Sequence, residues 1–86
     1  MKFQGALIKE QGVTFAVVIV KENVIHNRVQ SDQIVKSFQP IFPGIPVVLM
    51  AQNHGGIPSY YGRQDIVRFL ANLPIESIPW KEFTVT

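Results

Sequence analysis

Cysteine is absent from all 86 positions, which excludes disulfide staples, zinc knuckles and thiol chemistry. That absence is compatible with a reducing compartment, and a cytoplasmic location is the expectation. Long apolar runs are also missing. The longest, "FAVVIV" (15–20), falls far short of the ~20 residues that span a bilayer. The opening "MKFQGALIKEQG" regains charge at Lys9 and Glu10, too early for a signal-peptide core. No membrane partner is expected.

Concentrated charge is lacking as well. The formal net charge is +2, and the basic residues Lys2, Lys9, Lys21, Arg28, Lys36, Arg63, Arg68 and Lys81 are never adjacent. Nucleic-acid binders gather such charges on one face or along one helix, so a nucleic-acid partner is not expected. There are only two histidines, His26 and His54, and neither stands at a metal-ligand spacing from a second donor. No metal site and no cofactor motif can be assigned. The serines Ser31, Ser37, Ser59 and Ser77 lie in no nucleophile elbow, so no catalytic residue is assigned and the balance leans against an enzyme.

What the chain does have is apolar surface. Hydrophobic residues make up 47% and charged residues 16%, too apolar a balance for a disordered chain. The length suits one domain over 1–86, and folding at this size buries roughly 60–65% of the unfolded surface. The apolar excess points to a homo-oligomer or a component of a larger protein assembly.

The pattern predicts a mixed-sheet α/β (α+β) sandwich in the order β-β-α-β-β-α-β. "FQGALIKE" (3–10) and "VTFAVVIV" (13–20) read as an antiparallel hairpin turned at Gln11-Gly12. Both faces of 13–20 are apolar, so this strand should be central and covered on each side. "KENVIHNRVQ" (21–30) reads as irregular, with Val24 and Ile25 prolonging the sheet or packing beneath a loop. A helix is expected to begin near Ser31, with Ser31 as cap and Asp32 in the first turn. Its stripe is Ile34, Val35 and Phe38, and Pro40 and Pro43-Gly44 stop it.

"IPVVLMA" (45–51) reads as a buried strand running parallel to 13–20, the second half of a β-α-β unit. "IPSYYG" (57–62) is its hairpin return. A helix from about Arg63 to Leu73 follows, with Ile66, Phe69, Leu70 and Leu73 on one face. "SIPWKEFTV" (77–85) closes the chain as an edge strand. Its Trp80 suits either the core or a contact.

The segment "GIPVVLMAQNHGGIPSYYGRQDIVRFLANL" (44–73) resembles the second half of a thioredoxin-like fold. There a Gly-Ile-Pro-type turn enters an apolar strand, and an Asn-Gly-type hairpin and an amphipathic helix follow. The resemblance implies a cis peptide before Pro46. Lacking Cys-x-x-Cys, it implies no thioredoxin activity.

One stretch, "QNHGGIPSYYGRQD" (52–65), gathers most of the residue types that do chemistry. Its structural reading is a turn at Asn53-His54-Gly55-Gly56, a return strand carrying Tyr60 and Tyr61 on opposite faces, and a helix start with Gly62 as cap and Asp65 in its first turn. Its functional reading is a ligand site formed by His54, Gly55, Gly56, Tyr60, Tyr61 and Arg63. A helix N-terminus attracts anions, Arg63 offers a planar fork for carboxylate or phosphate, and a tyrosine can stack on a base. The leading expectation is a small binding or interaction protein that acts as an oligomer or assembly component. The alternative is a small anion- or nucleotide-binding or weakly catalytic protein with its pocket at 54–65.

Overall fold

The computed structural model describes residues 1–10 and 12–85. They form a small mixed α/β domain with five strands and three α-helices. The strands are β1 (Lys2–Glu10), β2 (Val13–Ile19), β3 (Val47–Gln52), β4 (Pro58–Tyr61) and β5 (Lys81–Thr84). The helices are α1 (Glu22–Ile25), α2 (Arg28–Phe38) and α3 (Gln64–Ala71). The sheet runs β4-β3-β2-β1-β5. All neighbours are antiparallel except β2 and β3, which run parallel from Ala16↔Val47 to Ile19↔Met50.

The two-sided hydrophobicity of β2 decides the layering. Phe15 and Val17 join Ala6, Val48, Met50, Ile66, Leu70 and Ile78 in one buried cluster. Ala16 and Val18 join Ile25, Phe42, Val47, Leu49 and Ala51 in the other. The first cluster lies under α3 and the second under α1, α2 and the 41–45 loop, so helices cover both faces of the sheet. Alternation of side chains along a strand requires two such cores once both sets are apolar.

The β1–β2 pairing has the register Glu10↔Val13 to Gly5↔Val18. Gly12 supplies the positive φ of 79° in the turn; Gln11, the other residue expected there, lies outside the described residues. At the far edge β5 pairs with β1 from Lys2↔Thr84 to Gly5↔Lys81. Phe3 and Phe83 stack across that pair with centroids 5.1 Å apart, and Phe38 and Phe42 meet Phe3 edge-on. Trp80 is half-buried, packs on the α3-side cluster and donates its indole N–H to the Ile75 carbonyl at 3.0 Å.

The segment 21–30 departs from expectation. It is helical, with α1 a single turn that buries Val24 and Ile25, while α2 starts at Arg28 rather than Ser31. Asn27 is the cap, its side chain accepting from the Gln30 N–H at 3.0 Å. Ser31 lies inside the helix, fully buried, and its hydroxyl donates to the Val24 carbonyl at 2.9 Å. That bond fastens α1 to α2 and adds a second donor to a carbonyl that already accepts from the Asn27 N–H at 3.0 Å.

Gln39 keeps helical dihedrals as the C-cap of α2, and the ladder stops at Pro40, which has no N–H to donate. Peptide bonds among the described residues are trans, Ile45–Pro46 included, contrary to the cis bond that the thioredoxin-like resemblance implies at Pro46. α3 is capped by Arg63, not Gly62.

Candidate functional site

The hairpin turn is organised by one side chain. The Asn53 Oδ1 atom accepts from the N–H groups of Gly55 at 2.8 Å and Ile57 at 3.0 Å. The Asn53 carbonyl accepts from Gly56, whose φ of 79° the turn requires. Gln52 closes the loop by donating its amide to the Gly56 carbonyl at 3.0 Å. His54, Gly55 and Gly56 are exposed on this turn and border neither of the cavities described below.

Beyond the turn, β4 carries Ser59, Tyr60 and Tyr61 past Ala51, Met50 and Leu49. Tyr60 packs on the cluster under α3 and Tyr61 on the cluster under α1 and α2, as expected for adjacent residues of a strand. Gly62 follows at a close approach, since a β-carbon there would lie 2.9 Å from Val48 Cγ2. The close contact lets the chain turn directly over β3 into α3.

At that turn Arg63 is exposed and its fork is engaged. Nε and Nη2 donate to the two carboxylate oxygens of Asp65 at 2.8 and 2.7 Å. The bonds from Arg63 hold the Asp65 carboxyl down at about 2. Arg63 in turn is raised above its ordinary value by its bonds to Asp65 and by the Asp65 charge.

The structure draws a different set of residues together. A groove of about 400 Å³ opens between two corners of the chain. Ile25, His26 and Arg28 supply one wall, from the corner where α1 meets α2. Tyr60, Tyr61, Gly62 and Gln64 supply the other, where β4 passes into α3. Each longer helix contributes its first residue, Arg28 for α2 and Gln64 for α3. The groove thus holds two of the six expected site residues, Tyr60 and Tyr61. His54, Gly55, Gly56 and Arg63 do not line it.

Two phenols distinguish this groove. The Tyr61 hydroxyl donates to the Asp32 carboxylate across 29 residues of sequence. Tyr61 is raised above its ordinary value chiefly by that bond, then by burial and by the charge of Asp32. Arg28, one helical turn before Asp32, pulls it the other way. The Tyr60 hydroxyl oxygen is shielded from solvent and has no hydrogen-bond partner among the described residues. Burial raises its value too. An unpartnered buried phenol is uncommon in a folded protein.

A second cavity of about 200 Å³ lies across α3, between its first turns and the β1–β2 hairpin. Val13, Phe15, Ile66 and Phe69 form its walls, with the carboxylates Glu10 and Asp65 beside them. Phe15 and Phe69 meet there edge-to-face, centroids 6.1 Å apart.

Sequence reading missed His26, Arg28 and Gln64 as neighbours. The Ser-Asp pair at 31–32 drew the helix start too far along the chain, although Asn27 was available as a cap three residues before Gln30. Among the described residues no helix is long and apolar enough to cross a membrane. Comparison with known protein families, curated proteins and solved structures finds no match for this chain.

Proposed function

We propose that the protein is a small binding protein that holds a compact anion, a phosphate or carboxylate, in the groove between the α1–α2 corner and the β4–α3 corner, without catalysis of its own. The observation that carries the reading is the meeting of Arg28 and His26 with Tyr61 and Gln64 on one groove, while Asp32, the nearby carboxylate, is taken up by the Tyr61 hydroxyl. The Arg28 guanidinium and the Gln64 amide are donors that suit an anion. The Arg63 fork, already satisfied by Asp65, has less to offer such a ligand.

Titration with inorganic phosphate and with ADP, followed by amide NMR, tests the reading. Saturable shifts are expected at 25–28 and 60–64, and Arg28→Gln should abolish them while Arg63→Gln leaves them in place. Unmoved amides in both segments at tens of millimolar phosphate would sink the proposal.

Self-association is the second reading. Its support is the exposure of large apolar side chains: Leu7 at 41%, Val13 and Ile19 at 38%, Val29 at 68% and Ile57 at 64%. Against it stand Pro58 on β4 and Lys81 and Glu82 on β5, residues that blunt the two sheet edges. Sedimentation at micromolar concentration decides between an oligomer and a monomer.

A further inference from the structure

We infer that the cavity between the β1–β2 hairpin and α3 is a second binding site, for a small organic ammonium ion with an apolar body. The inference is independent of the anion groove. About 200 Å³ is below the ~300 Å³ at which cavities for drug-sized ligands begin, so the occupant is the size of a side chain or an aryl-alkyl amine. Four apolar residues form the walls, and Phe15 and Ile66 are nearly fully buried. The walls come from elements that the core already fixes, so the cavity is pre-formed. Val13 remains 38% exposed at this place although its strand is the middle of the sheet. α3 is only eight residues long and does not reach over it.

The polar part of the lining has one sign. Glu10 contributes a carboxylate with no ion-pair partner among the described residues, Asp65 contributes one already held by Arg63, and no lysine or arginine among the described residues lines the cavity. Arg63 meets Asp65 from outside that lining. The Phe15 and Phe69 rings add faces and edges of an aromatic pair, and a ring face attracts a cation. A neutral apolar ligand would use the walls alone and an anion would be repelled by Glu10. An ammonium on a short apolar body uses both.

The test compares three isosteres, phenethylammonium, 2-phenylethanol and phenylacetate, titrated against the full chain by amide NMR. The ammonium is expected to give saturable shifts at 13–15 and 65–69 and to leave 25–28 unmoved. 2-Phenylethanol should bind about threefold to fivefold more weakly, the factor that a surface ion pair supplies, and phenylacetate should not bind. Glu10→Gln, an exposed change on the hairpin that leaves the core intact, should close the gap between the ammonium and the alcohol. A competing basic peptide tests whether the same chemistry presented on a lysine side chain enters the cavity. Equal affinity for ammonium and alcohol, an ammonium affinity unchanged in Glu10→Gln, or no shifts at 13–15 and 65–69 with any isostere would each overturn the inference. Failure here leaves the phosphate titration at 25–28 and 60–64 unaffected, so the two proposals stand or fall separately.

Discussion

Replacing Gly5 with alanine puts one methyl group where the sheet has no room. Gly5 lies on β1 opposite Val18, and its added β-carbon would stand 2.6 Å from the main-chain oxygen of Val17. Even a close C–H···O contact keeps carbon and oxygen at about 3.3 Å. The Phe3 and Phe83 rings lie over the same spot at 3.5 and 3.6 Å, ordinary contact distances. The obstruction is therefore the carbonyl, and it cannot retreat because β2 is hydrogen-bonded to β1 on one side and β3 on the other. Overpacking of this kind costs ~1–3 kcal/mol. Alanine recovers ~0.5–1 kcal/mol of backbone entropy, so the centres of the two ranges leave a net loss of about 1.25 kcal/mol. For a domain of this size that is a fall in Tm of roughly 5–10 °C.

Urea and thermal unfolding followed by circular dichroism measure the effect. Gly12→Ala is the control: among the described residues, and beyond its chain neighbours, no atom lies within 4 Å of its added β-carbon, so it loses about 1 kcal/mol from left-handed backbone alone. Trimming the ring with Phe83→Leu should not rescue Gly5→Ala. An unchanged midpoint for Gly5→Ala would refute the reasoning. Rescue by Phe83→Leu would show that the ring, rather than the carbonyl, is the obstacle.

Two further outcomes follow from single contacts. Ser31→Ala removes the hydroxyl that joins α2 to the Val24 carbonyl, which keeps its bond from the Asn27 N–H; a loss of about 0.5–1.5 kcal/mol is expected, read as a lower urea midpoint with an unchanged slope. The Asp65 carboxyl should titrate at about 2 in a carboxyl-carbon NMR experiment, and Arg63→Gln should move it up toward the ordinary ~3.9. Because the folded value is the lower one, the stabilisation it brings is complete above ~4 and disappears as pH falls through about 2. An Asp65 midpoint left at about 2 in Arg63→Gln would refute this assignment.

The parts of the fold that could be read from sequence are those in which burial and periodicity agree. The alternation of Phe15 and Val17 with Ala16 and Val18 placed β2 between two layers, and both clusters are there. The parallel crossover, the 47–61 hairpin and the buried Ile66 and Leu70 of α3 follow the same logic. The segment 21–30 was opaque for a physical reason. α1 is one turn long, too short to show a period, and α2 begins with Arg28 and an exposed Val29, so no apolar stripe announces its start. Its one fully buried residue is Ser31, a polar side chain whose burial depends on a partner in a different helix. The groove was hidden for a related reason. Tyr61 and Asp32 are 29 residues apart, and only the crossover between β2 and β3 brings them together.

The pairing of β5 with β1 sets the order in which the sheet can assemble and come apart. The β1–β2 and β3–β4 hairpins close short loops, whereas Lys2↔Thr84 joins residues from opposite ends of the described chain. Loop-closure entropy makes that contact the most expensive to form, and it is held by four register pairs and the Met1–Val85 backbone bonds. β5 should therefore be the last strand to add and the first to detach, its amides exchanging with solvent ahead of those in β2 and β3. Each detachment bares the Lys2–Gly5 edge of β1, a row of unpaired peptide groups ready to template another chain. The four-residue strand at the margin thus acts as the sheet's guard against aggregation.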